Sequence, residues 1–63
     1  MFDISFRDSR GYQVVHTRNA MGVPPKGTVI DVNGHRYIVA AVEWSIYSGN
    51  RTGNIPVIVR MES

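Results

Sequence analysis

The dipeptide Asn33-Gly34 constrains this chain more than any other feature, because it sits between two runs in which apolar and polar residues alternate. A two-residue type I′ turn needs positive φ at both central positions, which Asn tolerates and Gly adopts without a Cβ penalty. Placing the turn there sets a register. Val32 faces His35, Asp31 faces Arg36, Ile30 faces Tyr37, Val29 faces Ile38 and Thr28 faces Val39. Opposed residues share a face of the sheet. One face then carries Ile30, Val32, Tyr37 and Val39, and the other sets Asp31 against Arg36.

Further along, the alternation changes phase. The bulky apolar residues after Ala40-Ala41 are Val42, Trp44 and Ile46, and a regular strand would put Val42 and Trp44 on the side of Arg36. One extra residue in the strand reverses the phase and bends the chain. The sequence therefore predicts a β-bulge near Ala40-Ala41, with Trp44 turned inward to meet Tyr37.

The remaining segments read as strand or loop. Phe2, Ile4 and Phe6 alternate with polar residues and predict an inward row. The polar Arg7–Gly11 segment reads as a turn. Tyr12–Arg18 reads as a second strand, with either Tyr12, Val14 and His16 inward or Val15 and Thr17 inward; the apolar area of Tyr12 and Val14 favours the first. The segment Asn19–Gly27 contains Pro24-Pro25, which forces an extended course, and Met21 and Val23 are expected to fold back as a plug. Ser48–Asn54 is a polar loop. Ile55–Glu62 is a last strand with Ile55, Val57, Val59 and Met61 on one face, and Pro56 places it at an edge or marks its beginning.

Five short strands in 63 residues, with no helical pattern, predict an all-β fold with a single domain over residues 1–63: a five-stranded SH3-like small barrel in meander order. A chain of this size buries only about 60% of its unfolded surface.

Composition narrows the chemistry. The chain has no cysteine, so thiol nucleophiles, disulfides and Cys-ligated metals are ruled out. The two histidines read as a barrel-wall residue (His16) and a solvated hairpin-tip residue (His35). No serine stands in a nucleophile-elbow context, and the five acids are scattered singly. Ser48–Gly53 contains glycines but lacks the Lys and the following helix of a phosphate cradle. No cofactor and no enzymatic activity are expected. No stretch reaches the roughly 20 apolar residues of a membrane span, and no export signal is visible, so a cytoplasmic setting is expected.

The formal charge is +2, and six of the seven cations are arginine. Small barrels bind nucleic acid through arginines on phosphates and aromatic faces under bases. They also bind proteins through exposed edges and apolar residues, here Met21, Ile38, Tyr47 and Ile58. The residues expected to meet a partner are Arg10, Tyr12, Arg36, Tyr47 and Arg51. The primary expectation is a protein partner or self-association, and RNA or single-stranded DNA is the alternative.

The run Lys26–Val39, KGTVIDVNGHRYIV, resembles a pattern in small SH3-like barrel accessory proteins of tailed phages, of the head–tail joining and capsid accessory type. It comprises a Gly, alternating apolar residues, a polar-Gly turn, then Arg-Tyr-x-Val. The resemblance implies a non-enzymatic role in assembly or in binding a host protein, in the host cytoplasm or the virion. It transfers no catalytic residue.

Overall fold

The hairpin at Asn33-Gly34 organises the fold as its sequence predicts. In a computed structural model that describes residues 1–44 and 53–63, Asn33 and Gly34 have φ of 51° and 83°. The paired residues are Val29 with Ile38, Ile30 with Tyr37, Asp31 with Arg36 and Val32 with His35. Beyond this ladder, the Val39 amide donates to the Thr28 carbonyl at 2.9 Å and the Gly27 amide to the Val39 carbonyl at 2.8 Å.

Five strands form one sheet: β1 (Phe2–Arg7), β2 (Gln13–Ala20), β3 (Val29–Val32), β4 (His35–Trp44) and β5 (Ile55–Glu62). No helix occurs among the described residues. The sheet is mixed and curls into a half-barrel, consistent with a small SH3-like barrel. Its spatial order is β2-β1-β5-β4-β3. Strands β3 to β5 follow meander order. The departure from a simple meander is that β1 lies beside β5 and runs parallel to it, while the other pairs are antiparallel. The segment between β2 and β3 therefore links the two outer strands, which do not pair with each other, and the sheet remains open where a closed barrel was expected.

The predicted bulge is present. Between β4 and β5, Val39 pairs with Met61 and Ala41 with Arg60, leaving Ala40 as the extra residue. The phase flips there. Before it, Val39 shares the concave face with Met61; after it, Val42 and Trp44 share that face with their partners Val59 and Val57. If Ala40 were instead paired in a regular, unbulged strand, these two rows would lie on opposite sides of β4.

The core is a stripe along the concave face. Ile4, Phe6, Val39, Val57, Val59 and Met61 are buried, with Phe2, Val14, Val15, Ala20, Val23, Ile30, Tyr37 and Val42 packed around them. Central β5 supplies three of the six. Each such side chain contributes about 1.5–3 kcal/mol relative to exposure. Pro56 marks the beginning of a strand but not an edge, since β5 has neighbours on both sides.

Three expectations about facing need correction. Trp44 is on the concave face but is 52% exposed and does not meet Tyr37. Its ring instead stands edge-on to Phe2, with centroids 5.4 Å apart, and among the described residues no strand covers the end of β4. Tyr37 lies against His35, 4.5 Å between centroids. In β2, Thr17 pairs with Ile4 and Val15 with Phe6, but neither expected facing forms whole: Val15 is covered while Thr17 is exposed, and Tyr12 and His16 are exposed too. A register shift between the Phe6–Val15 and Arg7–Gln13 pairs makes Val14 an extra residue, and Val14 and Val15 both reach the core. Of the expected plug, Val23 packs on the core while Met21 is 90% exposed.

Candidate functional site

Because β1 is parallel to β5 and β4 is antiparallel to it, the β1–β2 turn and the β3–β4 turn lie at the same end of the sheet. The β1–β2 turn is tightly built. The Asp8 carboxylate accepts from the amides of Arg10 and Tyr12, each at 3.0 Å, and the Gly11 amide donates to the Asp8 carbonyl at 3.0 Å. Gly11 has φ of 88°, a conformation open to glycine. The Arg7 guanidinium ties the turn down by donating to the Gly11 carbonyl at 3.2 Å. This scaffold holds Arg10 and Tyr12 in solvent, with Tyr12 68% exposed. Arg36 stands on β4 just after the Asn33-Gly34 turn, in an exposed ion pair with Asp31 at 4.0 Å. These three expected partner residues share one end of the sheet, on opposite flanks of β5. Tyr47 and Arg51 lie outside the described residues.

The cations among the described residues are spread over β1, β2, β4, β5 and two connecting segments, with Arg7 and Arg60 direct cross-strand neighbours. Arg60 pairs with Glu43 across β4 and β5, Arg7 donates to Ser5 and Gly11, and Arg36 faces Asp31. Arg18 lies on β2 near enough to Asp3 to act on its carboxylate. Arg10 belongs to the turn end, and Lys26 to the segment between β2 and β3.

A concavity among the described residues lies elsewhere, and the sequence reading missed it. It is a groove of about 530 Å³ lined by Val23, Pro24, Pro25 and Lys26 on one side and by Ala40, Ala41, Val42 and Trp44 on the other. Ala40, Ala41, Val42 and Trp44 line it and Glu43 does not, so it takes in the bulge and the concave face of β4 beyond it. It exists because β3 is short. The turn at Asn33-Gly34 and the break at Gly27 leave β3 four residues, while β4 has ten. Beyond Val39, β4 has β5 on one side and, among the described residues, no strand on the other. Pro24 and Pro25 lie beside this edge but have no N–H to donate to it.

A polar cluster closes the other flank of the sheet. The Asp3 carboxylate accepts from the Asn54 side-chain amide at 2.9 Å and from the Asn19 backbone amide at 3.3 Å. The Asn54 amide also donates to the Asn19 side-chain oxygen at 2.7 Å. Asn19 has φ of 58° at the second irregularity of the β1–β2 ladder. These bonds, that from Asn54 first and that from Asn19 next, hold the Asp3 carboxyl below its usual 3.8; the nearby His16 and Arg18 add smaller effects in the same direction. A depressed carboxylate pKa contributes stability that is present above the unfolded value and lost as pH falls through the folded one. Asp3→Ala is therefore expected to melt below the parent at pH 7, with the gap closing as the pH drops below about 3.8. Thermal melts across that range test this; a gap unchanged down to acid pH would remove Asp3 from the account.

Among the described residues no three His, Asp or Glu side chains converge. No helix of the described residues is long and apolar enough to cross a membrane. No protein-family model, no curated protein and no solved structure matches the chain. Fold and site together define a class: a small all-β half-barrel with, among the described residues, an apolar groove beside the end of β4.

Proposed function

We propose that this chain is a non-enzymatic binding module whose partner is a protein. The observation that carries the reading is the groove beside Trp44: an indole half in solvent, next to two prolines and an open strand edge, offers contact area of the kind protein partners cover. The scatter of the cations, several of them already engaged, favours protein over nucleic acid, which is tracked by cations along one surface. The resemblance of Lys26–Val39 to accessory proteins of tailed phages supports an assembly or host-binding role, in the host cytoplasm or in a particle. In this reading Arg10, Tyr12 and Arg36 form a second, polar contact surface at the turn end.

Immobilised protein challenged in parallel with a displayed library of random peptides and a pool of random single-stranded oligonucleotides tests the proposal. Enrichment of peptide sequences, with no oligonucleotide retained at low salt, is the expected result. Retention of oligonucleotides with a steep loss on adding salt would instead establish the nucleic-acid reading. Enrichment of neither would count against both.

A further inference from the structure

We infer that the groove along Ala40–Trp44 takes an extended segment of the partner, which adds a strand to the open edge of β4 and sets a carboxylate side chain at Lys26. This deepens the binding-module reading and rests on it. Three observations converge on that occupant.

The first is the edge. Residues Ala41–Trp44 pair with Arg60, Val59, Ile58 and Val57 of β5 on one side and, among the described residues, with no strand on the other. In an antiparallel ladder, successive residues direct their backbone groups alternately to the two sides. Part of the N–H and C=O groups over this stretch therefore points into the groove, where a partner's backbone can complete them. Pro24 and Pro25 across the groove cannot serve as that strand, because they lack the donors.

The second is the lining. Val23, Pro24, Val42 and Trp44 present apolar surface next to the edge. An added strand sends alternate side chains to one face, so every second residue of the guest meets this surface. The guest is then an alternating segment with apolar residues on one face.

The third is the charge. Lys26 is the one ionisable side chain among the described residues that line the groove, and it is exposed. No acid pairs with it among the described residues. Glu43, the nearest acid along β4, is engaged by Arg60 on the convex face. A guest carboxylate supplies the opposite charge that this rim lacks.

The test uses peptides enriched by the intact chain from the random library, cut to about ten residues, the upper end of ordinary strand length. Amide shifts in ¹⁵N spectra locate the bound peptide. Affinity is then compared for the peptide, for a copy N-methylated at alternate residues, for a copy with its acids replaced by the matching amides, and for a Lys26→Glu variant of the protein. Expected are shifts centred on Val23–Lys26 and Ala40–Trp44, and a loss of at least about tenfold on N-methylation in one of the two alternating phases. Both the amide copy and Lys26→Glu are expected to bind several-fold more weakly. Peptides that bind at the Arg10, Tyr12 and Arg36 end would overturn the groove as the docking site but leave the binding module standing. Groove binding that is indifferent to N-methylation in both phases would overturn strand addition, and indifference to Lys26 would overturn the carboxylate. A concentration-dependent dimer that buries Ala40–Trp44 would assign this edge to a second copy and overturn the inference.

Discussion

Val59→Asp is expected to abolish the folded state at 25 °C. Val59 has no exposed surface and lies at the centre of the sheet, paired with Phe6 on one side and Val42 on the other. Removing the isopropyl group forfeits about 1.5–3 kcal/mol of burial. The carboxylate that replaces it must be desolvated without a partner, which costs several kcal/mol more, or must take up a proton. At roughly 0.05–0.15 kcal/mol per residue, a chain of this length has only about 3–9 kcal/mol to lose. Loss of the cooperative thermal transition and collapse of amide dispersion are the expected signs. Ile38→Thr is the control. Ile38 is 51% exposed on the convex face, and the change is expected to stay within about 0.5 kcal/mol. A well-dispersed spectrum for Val59→Asp would mean that β5 is not the central strand.

Deleting Ala40 and Ala41 together is the second large perturbation, and it tests the geometry of β4. The turn at Asn33-Gly34 fixes the phase of β4 against β3, while β5 fixes it from the other side. The bulge absorbs one extra residue so that both hold. Removing Ala40 alone leaves a regular ladder in which Val39, Val42 and Trp44 still share the concave face. Removing both alanines leaves β4 one residue short, and an unbroken β4 in register with β3 then sends Val42 and Trp44 to the convex side and brings Glu43 opposite Val59. The alternative, keeping register with β5, sacrifices the β3 ladder. Either way the loss is expected to be at least about 3 kcal/mol, from forfeited Val42 burial and a desolvated acid. Deleting Ala40 alone is expected to cost about 1 kcal/mol. Chemical denaturation of the two variants separates these outcomes, and a double deletion as stable as the single one would mean that the β5 ladder does not set the phase of β4.

The hairpin and the bulge were legible because their signals are local. Asn33-Gly34 dictates its own φ values, and the phase conflict at Ala40-Ala41 appears in the alternation itself. The inward rows of β1 and β5 were legible for the same reason. Strand order was not. The parallel contact of β1 with β5 joins residues more than fifty positions apart, such as Phe2 and Ile55, and no nearby residue encodes it. That contact leaves β2 and β3 at open edges, and the expectation for Trp44 failed with the closure it presupposed. The facing of β2 failed through a second bulge: with Val14 as an extra residue, two adjacent valines reach the core and the alternation there has no single phase. As for the candidate site, the exposure of Arg10 and Arg36 followed from turn chemistry, whereas that of Tyr12 ran against the facing favoured for β2. The groove needed Val23–Lys26 brought across to β4, which is tertiary. One clue was nonetheless present in the sequence: a hairpin with four residues on one arm and ten on the other must leave part of the long arm without a partner.

Amide hydrogen exchange along β4 bears most directly on that open edge. The account predicts strong protection for amides of Ala41–Trp44 directed at β5 and rapid exchange for those directed away, while the Val39 amide, bonded to Thr28, is protected. Uninterrupted slow exchange from Val39 to Trp44 would show a second strand covering this edge in the free protein and would contradict both the half-barrel and the docking groove.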